Sequence, residues 1–293
     1  MNRSDQMSKS TFRSTLCKLA GAAALLALSS TAAMAAHIPS FGFSSTSFTI
    51  NPGAVGVAGC GGATCTATFI DFSYAAEVDQ FAQPGDTATF DETGGGFFGT
   101  FRNTLGGPPV AGTGLGVSYQ LYFVFEATGA TSPNGPGIDG AFSTFNYRMY
   151  VDKNMDTVLS TVTVGGVDES IARIALFGDD EEVLNGSLIP GFGGFHIFGG
   201  LVAGDFNVIA TANRVGNFFG GAAFAGASAQ ADINGVNTAI AGIPGGDPFA
   251  AATDITIIGS GNTSFQPVPE PASLALFGLA LAGLAFSRRG KKA

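Results

Sequence analysis

The feature that most constrains this chain is a side-chain period of two. Between Gly116 and Thr128, residues Val117, Tyr119, Leu121, Phe123, Phe125 and Ala127 alternate with Ser118, Gln120, Tyr122, Val124 and Glu126. Phe142 to Val151 repeats the pattern, with Phe145, Tyr147, Met149 and Val151 on one face and Asn146, Arg148 and Tyr150 on the other. In Thr66 to Val78, the set Ile70, Phe72, Tyr74, Ala76 and Val78 opposes Asp71, Ser73, Ala75 and Glu77. Successive side chains of a strand point to opposite faces, so each segment reads as a half-buried β-strand.

Shorter segments extend the pattern. Ser47 to Ile50, Thr87 to Phe90, Gly96 to Arg102, Thr157 to Val164 and Ile255 to Ile258 are predicted strands, and Glu169 to Phe177 reads as strand or short helix. Asp91 to Gly95 is expected to be a hairpin connection, Gly129 to Gly140 an exposed loop, and Gly259 to Gln266 a polar linker. No repeat of constant period is visible, which argues against a solenoid or propeller. Many short strands with aromatic faces predict an all-β fold: a single antiparallel β-sandwich or jelly-roll-like domain, with phenylalanines as its core.

The two ends differ from this body. Lys9, Arg13 and Lys18 precede the apolar run Leu19 to Leu28, and Ala33-Met34-Ala35 supplies small residues, the pattern of a secretory signal peptide over residues 1–35. At the other end, Val268-Pro269-Glu270-Pro271 is a stiff extended tetrapeptide, because each proline disfavours helix at the residue before it. Ala272 to Phe286 follows, 15 uncharged, helix-prone residues. That is short of the roughly 20 residues of a full bilayer span. Arg288, Arg289, Lys291 and Lys292 close the chain and would stay cytoplasmic. The expected organisation is signal peptide 1–35, mature β domain 36–266 and sorting segment 267–293.

Charge separates along the same boundaries. The two ends hold eight of the 13 basic residues but only Asp5 and Glu270 of the 22 acidic ones, leaving the body 5 basic and 20 acidic residues, net −15. Such a surface repels nucleic acid and anionic lipid. It suits divalent cations, or polysaccharide reached through uncharged faces or cation bridges. Cys60 and Cys65 are the body's cysteines, and a secretory route makes a disulfide across CGGATC the natural assignment.

Catalytic patterns are sparse. His196 is the one plausible base in the body and no GxSxG elbow accompanies it. No P-loop, dinucleotide fingerprint or HExxH is present. A glycosidase needs two carboxylates across a cleft, and the sequence singles out none. Asp152, Asn154 and Asp156 have the spacing that opens a calcium loop, but Thr157 and Thr163 stand where glycine and glutamate belong. A hairpin turn stabilised by local hydrogen bonds accounts for the same residues. The acidic run Asp179 to Glu182 reads as a solvated loop, with calcium as the minor alternative. No other cofactor is suggested.

The tail resembles the PEP-CTERM sorting signal of exopolysaccharide-producing Gram-negative bacteria. The resemblance rests on Val268, Pro269, Glu270 and Pro271, the short apolar run, and Arg288 and Arg289. It implies cleavage near the motif by an exosortase, a transient stay in the inner membrane, and delivery to the cell surface or extracellular matrix. The stretches GLGVSYQLYFVFEATG, FNYRMYVDKNMDT and IALFG are similar to flocculation-associated PEP-CTERM proteins. That similarity implies a non-enzymatic role in holding cells and exopolysaccharide together. The alternatives are a secreted carbohydrate-binding module, with Tyr122 or Tyr150 stacking on sugar rings, and a secreted hydrolase.

Overall fold

The protein's computed structural model describes residues 44–268, apart from 165–166, 175–178, 200–202, 227, 243–248 and 250–252. The signal peptide, the short apolar helix expected over Ala272 to Phe286 and the basic tail lie outside the described residues.

Eight long antiparallel strands make up the body: β3 (Phe69–Gln83), β4 (Thr87–Arg102), β5 (Gln120–Asn134), β6 (Gly137–Asp152), β9 (Glu181–Ile197), β10 (Gly204–Arg214), β12 (Ser228–Ala241) and β13 (Thr253–Pro267). Each pairs with the next of the set, and β13 returns to pair with β3, so the sheet closes into a barrel. The expected sandwich or jelly roll is therefore overturned. Those folds need separate sheets with exposed edges, whereas closure leaves the main sheet no edge to protect.

The strands are longer than the sequence pattern suggested. Asp91 to Gly95 is not a hairpin turn but the middle of β4. The presumed loop Gly129 to Gly140 is mostly strand, turned at Gly135-Pro136, and the presumed linker Gly259 to Gln266 lies inside β13. Glycine continues these strands because an aromatic ring from the neighbouring strand covers it. Gly94 lies directly opposite Phe125, Gly140 opposite Phe195, Gly235 opposite Phe206, and Gly259 opposite Tyr74. In each pair a Cβ on the glycine would collide with the ring. Aromatic rings thus supply the packing that a glycine in a strand lacks. The abundance of both residue types, 44 Gly and 27 Phe, has one common use.

Alternation sends the aromatics inward. Phe72, Tyr74, Phe90, Phe123, Phe125, Phe145 and Tyr147 are all buried, while Asp71, Asp91, Glu126, Asn146 and Arg148 occupy the outer faces of the same strands. This is the reverse of an outer-membrane barrel, whose lipid-facing band is apolar. Among the described residues no helix is long and apolar enough to cross a membrane.

One end of the barrel is plugged. The short strands β1 (Phe48–Ile50), β2 (Cys65–Ala67) and β11 (Phe219–Gly220) form a small sheet in the order β11-β1-β2. Phe48 meets Phe101, Phe219 and Phe265 edge-on at centroid separations of 6.4, 5.9 and 5.2 Å. Cys60 and Cys65 are joined by a disulfide, and both pack against this core. The remaining strands, β7 (Val158–Val164) and β8 (Val167–Ile174), pair as a hairpin. That hairpin lies against β3 and β4. The segment expected to be strand or short helix is therefore strand through Ile174.

Candidate functional site

A broad groove of about 940 Å³ runs across the outer surface of β4, β5, β6, β9 and β10. Outward positions of these strands supply its wall: Glu126 from β5, Asn146, Arg148 and Tyr150 from β6, Glu182, Asn185 and Ser187 from β9, and Asn213 from β10. Beside it the β6–β9 ladder is interrupted, since Ala141 pairs with Gly194 but the next partners are Asn146 and Ser187. Pro190 and Gly191 (φ 86°) fall within that interruption.

The polar side chains in the groove are linked. The Arg148 guanidinium stands 4.0 Å from Glu182, whose other oxygen accepts a 2.7 Å hydrogen bond from Asn185. Asn213 donates to Asn185 at 3.4 Å. A hydrogen bond to Tyr150, then the nearby Glu182 carboxylate, push the Arg148 guanidinium above its ordinary value. Tyr150 stacks on Tyr122 with centroids 5.2 Å apart and planes 15° from parallel. Tyr122 itself is fully buried and donates a 2.8 Å hydrogen bond to Asp180. Of the two tyrosines expected to offer a stacking face, Tyr150 alone lines the groove.

The acidic candidates converge elsewhere. Asp152 closes β6 and is completely buried. Its carboxylate accepts backbone N–H bonds from Asn154 (3.0 Å), Met155 (2.7 Å) and Thr157 (2.7 Å). It therefore staples the turn, as an aspartate does in an Asx motif. Asp156 and Asp179 bring carboxylate oxygens within 4.8 Å of one from Asp152. Desolvation, then the charges of Asp152 and Asp179, raise the Asp156 carboxyl above its usual range. Oxygens so spaced are compatible with a shared divalent cation. Asn154 is exposed and not one of the three, whereas Asp179 joins from the acidic run that the sequence reading treated separately.

His196, the one plausible base in the sequence, has its Nδ1 2.6 Å from Asp139 on the outer face of the neighbouring strand.

A third feature was missed. The barrel interior holds a partly open cavity of about 60 Å³, walled chiefly by aromatic and aliphatic side chains. Glu92 projects into it from β4 between Val78 and Ala127, its register partners. Burial pushes its carboxyl up to about 8. Above it, Tyr74 donates a short hydrogen bond to Asn237, and burial followed by the nearby Glu92 charge raises its phenol well beyond the ordinary range. The signal was available: Ala88, Phe90 and Glu92 share one face if β4 is read as continuous.

Of the sorting motif, Val268 is described, exposed just beyond the end of β13, and Pro269 to Arg289 lie outside the described residues. Residues 267–289 match the family model of the PEP-CTERM protein-sorting motif. The chain carries a PEP-CTERM sorting signal. It is accordingly an exported protein, processed by an exosortase and sorted to the cell surface or extracellular space. No curated protein matches the chain. The PEP-CTERM signal begins at the plugged end of the barrel, where Thr46 donates a 2.8 Å backbone hydrogen bond to Phe265, so both ends of the described chain lie together.

Proposed function

We propose that the exported barrel acts without catalysis, binding exopolysaccharide through its outer groove and so helping to hold cells in flocs or biofilm. The observation that carries this reading is the groove itself. It is wide, lies on the outside of a rigid barrel, and offers one aromatic face at Tyr150 among amides, carboxylates and a guanidinium. Neutral sugar polymers are bound by that combination of stacking and hydrogen bonding. The body's charge of −15 favours an uncharged polymer, or an anionic one bridged by divalent cations.

Deleting the gene from its floc-forming host should leave exopolysaccharide production intact while dispersing the cells. Unchanged flocculation would contradict the role. Glu126 and Glu182 both line the groove. A carboxylate pair is what glycoside hydrolysis requires, so release of reducing ends from bound polymer would overturn the non-catalytic part of the reading. Glu182 stands 4.0 Å from the Arg148 guanidinium and accepts a hydrogen bond from Asn185.

A further inference from the structure

We propose that the barrel interior is a second, separate binding site, for a small uncharged molecule with a short apolar body and one carbonyl oxygen, which Glu92 would grip by a hydrogen bond.

Three observations carry this. First, the barrel interior holds a space that its side chains leave open. Eight-stranded barrels are just wide enough for side chains to fill them or to leave room for one small ligand. Here about 60 Å³ remains, room for roughly four to six water-sized groups. That excludes a sugar ring with its hydration and admits a molecule of about six heavy atoms.

Second, the wall is nearly all apolar. Phe72, Phe90, Phe123, Phe125, Phe145 and Phe206 surround the space. Buried water needs two to four polar partners, and apolar cavities stay dry. Tyr74 and Asn237 already bond to each other, the Thr131 hydroxyl lies 3.5 Å from the Ala88 carbonyl, and Gln80, the other buried polar residue of the wall, is engaged as well. Glu92 is then the polar group left to serve an occupant.

Third, Glu92 is only 9 % exposed, lines the cavity, and accepts or donates no hydrogen bond among the described residues. A buried polar group left without a partner is costly, so its retention calls for an explanation. Near neutral pH it keeps its proton, because burial raises its carboxyl to about 8. It is therefore a donor aimed into an apolar space, which selects a carbonyl acceptor and disfavours a carboxylate or an ammonium. The titratable groups of the cavity wall are Glu92 on β4 and Tyr74 on β3; the wall residues from β5, β6, β9, β10, β12 and β13 are uncharged.

The test is titration of the exported protein with 2-pentanone carrying ¹³C at its carbonyl, followed by NMR. At pH 6 the carbonyl resonance should shift downfield and saturate at one equivalent per chain. At pH 9.5, with Glu92 ionised, affinity should fall about tenfold, the ordinary worth of one hydrogen bond. Glu92→Gln keeps a donor that does not titrate, so its affinity should be the same at both pH values. Val78→Phe and Ile233→Phe fill the space from two different strands, and either one that retains the wild-type circular dichroism should abolish binding. Polysaccharide binding should survive both, which separates this site from the groove. Absence of saturable binding at pH 6, equal wild-type affinity at pH 6 and 9.5, or full binding by a folded cavity-filling variant would overturn the proposal.

Discussion

Gly94 and Phe125 face each other across β4 and β5, and the phenylalanine ring fills the space that a side chain on Gly94 would need. The pair is one of several such contacts around the barrel, and it explains how glycine-rich segments remain strands. Gly94→Ala should therefore destabilise by about 1–3 kcal/mol, the usual cost of overpacking a tight core. Urea denaturation measures it. Combining the change with Phe125→Leu, which vacates the ring's space, should recover part of the loss.

Stability should fall as pH rises through neutrality, because of Glu92. Its carboxyl ionises near 4.5 in the unfolded chain but near 8 in the barrel. Below the lower value both states are protonated and the residue is indifferent. Between the two, the unfolded chain loses its proton and the folded one does not, which favours unfolding increasingly with pH. The loss reaches roughly 3 kcal/mol by pH 7 as an upper figure. Glu92→Gln should flatten the thermal midpoint's decline between pH 5 and pH 8 and raise the midpoint most at the alkaline end.

How much of this was legible beforehand differs by segment. The inward and outward sets of β3 and β6, and most of those of β5, follow from alternation, because the inward residues are aromatic or aliphatic and the outward ones mostly polar; Val117, grouped with the inward set, instead lies before β5 and is exposed, and Tyr122, grouped with the outward set, is fully buried. Barrel closure was not legible. It depends on β4 running through Asp91 to Gly95 and β13 through Gly259 to Gln266, where glycine and polar residues imitate turns. The rings that justify those glycines come from other strands, so local propensity could not reveal them. For the same reason Glu92 was hidden, since reading Asp91 to Gly95 as a turn removed it from any face. The acidic turn was half legible: the spacing of Asp152 and Asp156 is local, whereas Asp179 arrives from across the β7–β8 hairpin.

Repulsion in that acidic turn makes a further expectation. Desolvation and the charges of Asp152 and Asp179 raise the Asp156 carboxyl. A raised acid lowers stability as pH climbs past its unfolded value. Asp156→Asn should accordingly raise the thermal midpoint at pH 7 and change it little at pH 3, where the Asp156 carboxyl is largely protonated in either state. Asp152→Asn should do the opposite at neutral pH, because that carboxylate accepts three backbone N–H bonds.

Processing at the sorting signal gives a mass prediction. The protein recovered outside the cell should lack the apolar run and the basic residues Arg288, Arg289, Lys291 and Lys292. Intact-mass spectrometry of the secreted fraction reads this directly. Replacing Pro269, Glu270 and Pro271 with alanine should leave the chain uncleaved and associated with the cell envelope.

The central claim, polysaccharide binding in the outer groove, is tested most directly by equilibrium binding of the host's purified exopolysaccharide to the exported protein and to Tyr150→Ala. Tyr150 supplies the stacking face, worth about 0.5–1.5 kcal/mol for an aromatic contact; because it also covers the buried Tyr122, the variant is compared after its circular dichroism has been matched to the wild type. The account predicts saturable binding by the wild type, with no reducing ends released, and affinity reduced about threefold to tenfold in the variant. Equal affinity of the two proteins, or no binding by either, would contradict it.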